Sequence, residues 1–237
     1  MESTKSIQLP DGYLLKLADK SELPEIYEFL GKNFNREESI AKCLFAGKNF
    51  DEEEEKLIEE DENLLVAVAF ERSPCPVIIH KKSNKIVGVN VTILTKRPNG
   101  SETATSLYGE IKQKTKVIAD YFNYMAIISD EADIFNRYPN VKAALEFCII
   151  AVDKNHRRLG LAKVLSLSGL EESKKLKDVG LIFGLYTSPY SKRVAEKINM
   201  KSILKYDLLR FKDDRGHSIF QDLIPNNICS VMTLEIL

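Results

Sequence analysis

Residues 152–162 read Val152, Asp153, Lys154, Asn155, His156, Arg157, Arg158, Leu159, Gly160, Leu161 and Ala162, and these types at this spacing suit a phosphorylated ligand. The run before them, Ala144 to Ile150, is strand-like, and the run after them opens a helix-like stretch reaching Asp178. Backbone N–H groups at a helix start lack intrahelical partners and lie at the positive end of the helix dipole. Gly160 has no Cβ to hold an anion away, and Ala162 is small enough to keep the approach open. Arg157 and Arg158 add charge-assisted hydrogen bonds to phosphate. The plainer alternative is an exposed basic turn, because a pattern as loose as R-x-x-G-x-A arises often by chance.

Other residues with chemical potential are scattered. Glu37 and Glu38 stand near a helix start, where a carboxylate is favoured by the dipole even if it is only solvated. Thr187, Ser188, Tyr190 and Ser191 lie between a strand-like run and a short helix, and Ser191 is a good N-cap type. His80, His156 and His217 have no metal-ligand spacing and read as incidental, with His156 beside the basic turn. The acidic stretch Asp51 to Glu62 reads as a solvated helix face; its functional alternative is a negative field that draws cations.

Composition bounds the possibilities. The chain has 237 residues, 44% hydrophobic and 29% charged, with formal net charge −1, enough for one well-formed core. So little net charge argues against a nucleic-acid binder. No apolar run approaches the roughly 20 residues that cross a bilayer. The opening residues lack the charged-then-apolar layout of a signal peptide. Cys43, Cys75, Cys148 and Cys229 form no C-x-x-C pair and read as free thiols in a reducing compartment, so the protein is expected to be cytoplasmic, off the membrane and monomeric.

The elements that must position these residues alternate. Tyr13–Leu17 reads as a strand, and Glu22–Leu30, capped by Asp19 or Ser21, as a helix. Further helices are expected at Glu37–Ala46 and Asp51–Phe70. Pro76–His80 and Ile86–Leu94 form a hairpin around Ser83 and Asn84, with the second strand half-buried by its period of two. A turn at Pro98, Asn99 and Gly100 leads into a helical excursion over 101–138. After the central strand and the basic turn, Gly180 is expected to cap the long helix. Leu181–Tyr186 reads as a strand, Ser191–Ile198 as a helix, and Ser202–Phe211 and Ser230–Ile236 as closing strands. The order predicts an α/β fold, one domain over residues 1–237 with a mixed sheet.

The strand, turn and helix around Arg157, Gly160 and Ala162 resemble the coenzyme signature of the GNAT N-acetyltransferases. Val152–Ala162, followed by Ser188, Tyr190, Ser191, Arg193, Val194, Glu196 and Lys197, resembles the insect arylalkylamine (dopamine) N-acetyltransferases over essentially the whole chain. So does Phe34-Asn35-Arg36-Glu37-Glu38, similar to that family's F-x-x-D-E-P-L, with Asp-Glu-Pro read here as Arg36-Glu37-Glu38. Asn199-Met200 replaces the family's Gly-Phe.

The resemblance implies the GNAT fold, a central mixed, mostly antiparallel sheet flanked by helices. It implies acetyl transfer from acetyl-CoA, without a metal, to a small primary amine of the dopamine, tyramine, octopamine or serotonin type. Ile150, Ala151, Val152, Arg157, Arg158, Leu159, Gly160, Leu161, Ala162 and Lys163 would hold the coenzyme, with the oxyanion facing an amide near Ile150 or Ala151. Glu37 is the implied base, with Glu38 and Glu146 as competitors. Thr187 and Ser191 match hydroxyls assigned to substrate positioning or proton return, and Tyr190 is a general acid by analogy. No Cys-His or Ser-His-Asp pattern is needed, because direct attack forms no covalent enzyme intermediate. Two other readings stay open: acetylation of polyamine, histamine-like or peptide and lysine amines, and coenzyme binding without catalysis.

Overall fold

The computed structural model describes residues 7–98 and 107–236, so part of the turn expected after Pro98 and the start of the excursion lie outside the described residues. β1 (Tyr13–Leu17) leads through a 3₁₀ turn capped by Asp19 into α1 (Leu23–Asn33), with Pro24 in its first turn. α2 (Ser39–Phe45) and α3 (Glu52–Arg72) follow, α3 opening on a capping box between Asp51 and Glu54. β2 (Pro76–His80) and β3 (Lys85–Lys96) form the expected hairpin, and its turn residue Asn84 has φ of 50°. Among its described residues the excursion holds three helices, α4 (Leu107–Glu110), α5 (Lys116–Ala132) and α6 (Ile134–Arg137). Then come β4 (Ala143–Val152), α7 (Leu161–Ser173), β5 (Val179–Tyr186), α8 (Pro189–Lys197), β6 (Lys201–Asp207) and β7 (Ile228–Glu235).

The strands make one seven-stranded sheet in the order β1-β2-β3-β4-β5-β7-β6. Only β4 and β5 run parallel; every other neighbouring pair is antiparallel. The mixed, mostly antiparallel sheet is therefore present. Helices cover both faces. Ile26 and Leu30 of α1, Ile58 and Leu65 of α3, and Ile118 and Phe122 of α5 pack on Val89, Val91, Ile93 and Ala144. On the other face Leu161, Val164 and Leu165 of α7 meet Ile78 and Val87, and Ala195 of α8 joins Leu145, Phe147 and Ile182.

This two-sided cover corrects the expectation for β3. Its period of two sorts side chains between two helix layers, not between core and solvent, and Ile86 to Ile93 are all buried. α7 also lies unusually close to the sheet. A Cβ on Gly169 would stand 2.7 Å from Asn90 Nδ2 and 2.8 Å from the Phe147 ring, so only glycine fits there.

Several boundaries differ from expectation. α7 ends at Ser173, not Asp178, because Lys174, Lys175 and Lys177 are exposed and gain no packing to hold a helix. Gly180 is no helix cap; it is the second residue of β5, and the left-handed residue before the strand is Asp178, with φ of 64°. α8 starts at Pro189 with Ser188 as its N-cap, the place where proline's missing N–H costs nothing. The strand expected over Ser202–Phe211 stops at Asp207, where Leu208–Arg210 turn into a 3₁₀ segment.

Candidate active site

The basic turn folds so that the N–H groups of Asn155 and His156 bond to Asp153 while the backbone donors after them stay free. Lys154–His156 make a 3₁₀ turn, and Arg158 (φ of 65°) and Gly160 (φ of 79°) are both left-handed, bracketing Leu159. Gly160 is the N-cap of α7 and no side chain caps that helix, so the N–H groups of its first turn are left for a ligand. A Cβ on Gly160 would meet nothing within 4 Å, so its glycine answers the positive φ and the open space outside. Arg157, Arg158, Leu159 and Lys163 are exposed around this opening, Leu161 is buried beneath it, and Ala162 is half-buried. Arg157 Nε donates to the Val152 carbonyl over 3.1 Å, which holds the guanidinium beside the strand end.

β4 and β5 part next to this turn. Their pairing ends at Glu146 and Phe183; beyond it β4 keeps only β3 while β5 continues along β7. Asp153 N–H donates to the Val87 carbonyl across to β3. Successive residues of a strand point their amides to opposite sides, so Ala151 and Ile149 also face β3, while Ile150 and Val152 face the gap. Of the two amides considered for the oxyanion, the one directed into the gap is that of Ile150.

A bulge at Cys148 then re-aims the strand. Val91 pairs with Ile149 but Thr92 pairs with Phe147, so Cys148 is the extra residue. Cys148 and Ile149 consequently both line a cavity on the opposite sheet face. The other walls are Phe34, Asn35, Glu38, Ala41 and Phe45 around α2, Glu62 and Leu65 of α3, Tyr108 of α4, and Ile118, Tyr121 and Phe122 of α5. The cavity is aromatic with two carboxylates, a composition suited to an amine joined to an apolar or aromatic body.

The carboxylate facing the cavity from α2 is Glu38, not Glu37. Glu38 is the extended N-cap of the helix, and its Oε2 accepts from Ile40 and Ala41 N–H, each at 2.9 Å. Its Oε1 accepts from Thr187 Oγ1 at 2.5 Å. Burial raises its pKa above the ordinary glutamate value, partly offset by the Thr187 and backbone hydrogen bonds. Glu37 is exposed, and its side chain forms no hydrogen bond or ion pair among the described residues. The pattern F-x-x-D-E-P-L, counted from Phe34, in fact puts its Glu on Glu38 and its Asp on Glu37, with Ser39 in place of Pro.

Behind the cavity wall lies a second buried carboxyl. Glu146 is 2% exposed and accepts from Tyr108 Oη at 3.1 Å, while that hydroxyl also lies 3.2 Å from Cys148 Sγ. Burial pushes Glu146 up to about 7 and the Cys148 thiol well above its usual range. Glu62 is raised by burial too, opposed by an Asn35 Nδ2 bond of 2.7 Å and by Arg36. The stretch expected as a solvated helix face therefore turns inward at its end. Asp61, 1% exposed, accepts from Lys114 and Thr115 N–H and from Thr115 Oγ1.

The remaining candidates separate. Thr187 is buried against Glu38, whereas Tyr190 is 77% exposed in the first turn of α8, where its hydroxyl reaches no part of the cavity lining. Ser191 is not the helix cap; Ser188 Oγ accepts its N–H at 3.2 Å, and the two hydroxyls lie 2.9 Å apart. His80 and His156 are not independent: their rings lie 4.9 Å apart, and His156 Nδ1 is 2.7 Å from Tyr13 Oη. Among the described residues no group of His, Cys, Asp or Glu is arranged to hold a metal ion, and no helix is long and apolar enough to cross a membrane.

No family model matches the sequence. Solved structures do match its fold. A mosquito arylalkylamine N-acetyltransferase-like 5b superposes with TM-score 0.73 at 23% identity, over 94% of this chain and 100% of that one. Arylalkylamine N-acetyltransferase 2 from Aedes aegypti gives 0.76 at 18% identity, over 96% and 100%. A Drosophila melanogaster polyamine N-acetyltransferase that forms N-acetylagmatine gives 0.68 at 16%, over 94% and 100%. The chain thus has, across nearly its whole length, the fold of these insect N-acetyltransferases.

Proposed function

We propose that this chain is an acetyl-CoA-dependent N-acetyltransferase that acylates a small primary amine of the arylalkylamine kind by direct attack. One observation carries the reading. Adjacent residues of β4 serve two openings: Ile150 faces a gap that leads to the uncapped start of α7, and Ile149 lines the aromatic cavity that holds Glu38. A phosphorylated acyl donor and an amine acceptor entering from these two sides would meet at β4.

Acetyl-CoA supplies the activated acetyl group. The α7 amides with Arg157, Arg158 and Lys163 would bind its pyrophosphate, and Val152, Leu159, Leu161 and Ala162 would flank the arm beyond it. The Ile150 amide points where oxyanion charge develops. An acceptor ammonium, with a pKa of about 10.4, must lose a proton before attack, and Glu38 is the base that takes it. Ser191, bonded to Ser188, is the hydroxyl available for returning a proton to the departing thiolate; Tyr190, exposed, is given no part. The aromatic walls and the names of the arylalkylamine neighbours support an aryl acceptor.

A cytoplasmic location remains part of this proposal, supported by four free cysteines, and a monomer is proposed with it. The test is direct. Pure protein is incubated with acetyl-CoA and aromatic, imidazole, aliphatic and polyamine acceptors while thiol release is recorded. Aromatic amines are expected to turn over fastest. Coenzyme binding without thiol release for any acceptor would overturn the enzymatic reading and leave a coenzyme-binding module.

A further inference from the structure

The guanidinium of Arg36 occupies a cage at the edge of the acceptor cavity. Its Cζ lies 3.7 Å from the centroid of the Phe45 ring, which places the cation over the negative face of the ring. Nη2 is 2.7 Å from Glu55 Oε2, and Nε is 3.8 Å from Glu62 Oε1. Phe45 and Glu62 are also walls of the cavity. The Glu62 side chain is only 14% exposed, whereas those of Arg36 and Glu55 are 37% and 47% exposed. A side chain of the protein therefore fills, from the rim, the position where a π face and a sheltered carboxylate would otherwise receive a cation.

This arrangement has a consequence for acceptors. With Arg36 in place, the charge of Glu62 is compensated, and an acceptor whose far end is positive meets a like charge there. An acceptor with a neutral aryl end meets none. Asn35 Nδ2 holds Glu62 independently at 2.7 Å, so the carboxylate keeps its place when Arg36 is removed. We propose that Arg36 is a specificity-determining residue: by filling the Phe45–Glu62 cage with its own guanidinium, it turns the cavity against acceptors carrying a second positive charge and toward monocationic aryl amines. This rests on the acetyl-transfer reading given above.

The experiment compares kcat/KM for tyramine with that for agmatine and putrescine in the wild type, Arg36→Ala, Arg36→Gln, Glu62→Gln and the Arg36→Ala/Glu62→Gln pair. Calorimetric acetyl-CoA affinity, expected unchanged, serves as the check that each variant is folded. In Arg36→Ala the agmatine-to-tyramine ratio should rise by about 10-fold or more, chiefly through a lower KM for the dication, because a sheltered carboxylate is exposed to it. That gain should shrink as salt is added and should be lost in the double variant. A ratio unmoved in both Arg36 variants overturns the inference, even if the wild type is a competent arylalkylamine acetyltransferase. An equal rise in the double variant also overturns it, since Glu62 would then not be the carboxylate that draws the dication. A wild type inert toward every amine overturns the acetyl-transfer reading itself, and this inference with it.

Discussion

Thr187 Oγ1 donates to Glu38 Oε1 over 2.5 Å, joining the residue after β5 to the N-cap of α2 across 149 positions of the chain. The two carboxylate oxygens of Glu38 are thereby divided. Oε2 is taken by the start of α2 and Oε1 by Thr187, which leaves lone pairs of Oε1 for an amine or an intervening water. The carboxylate is held at a fixed angle by two separate parts of the fold.

Glu38→Gln is expected to keep acetyl-CoA binding while lowering turnover by roughly 10²–10⁴-fold, the usual loss for a general base. Glu37→Gln should leave turnover nearly unchanged, because that side chain is solvated. Since Glu38 must be ionised to accept a proton and burial raises its pKa, the wild-type rate should climb with pH along a limb above the ordinary glutamate range. Steady-state kinetics across pH checks this. A Glu38→Gln enzyme with near-normal turnover and the same limb would move the role to Glu146.

Thr187→Val removes a donor that favours the ionised form of Glu38. Its pKa should rise further, so the limb of the rate profile should move to higher pH while its plateau changes less. Thr187→Ser should restore the wild-type position. A limb that stays fixed in the valine variant would show that the hydrogen bond does not tune the base.

Gly160→Val should weaken coenzyme binding strongly, because a branched side chain both resists a φ of 79° and projects into the space a pyrophosphate needs. Arg157→Ala should weaken it more mildly, with a loss that diminishes as ionic strength increases. Calorimetry measures both. Unchanged affinity in the valine variant would remove the turn from the coenzyme site.

Glu146 predicts a pH signature of stability. The folded chain holds its proton up to about pH 7, whereas the unfolded chain releases it near the ordinary glutamate value. The folded pKa is raised, so the stabilisation is complete below the unfolded value and lost as pH rises through about 7, on the order of 3 kcal/mol in all. Glu146→Gln cannot ionise, so its stability should gain on that of the wild type as pH rises from the ordinary glutamate range through about 7. Thermal melts across pH would contradict this if the two proteins kept a constant difference in stability.

The sequence by itself determined what is contiguous. The strand, the basic turn and the start of α7 lie within 143–163, and local signals mark each part: the apolar run, the arginines and the glycine that takes a left-handed conformation. Element types and their order were legible for the same reason, since hydrophobic period and cap residues are local properties. Boundaries governed by packing were not. α7 stops where its residues lose cover, and Gly180 belongs to a strand because β5 must begin pairing with β4 at Val179. Only the tertiary structure decided the aromatic cavity. Its walls come from the turn after α1, from α2 through α5 and from β4, and residues as far apart as Phe34 and Ile149 meet there without any shared local pattern. Between Glu37 and Glu38 the register of F-x-x-D-E-P-L counted from Phe34 already pointed to Glu38, and the tertiary structure supplies the physical reason. The extended cap conformation of Glu38 turns its carboxylate onto the α2 amides and Thr187, while Glu37, in the turn before the helix, faces water. The parting of β4 from β5 and the bulge at Cys148 are likewise invisible in the chain, because both depend on which strand each backbone amide finds as its partner.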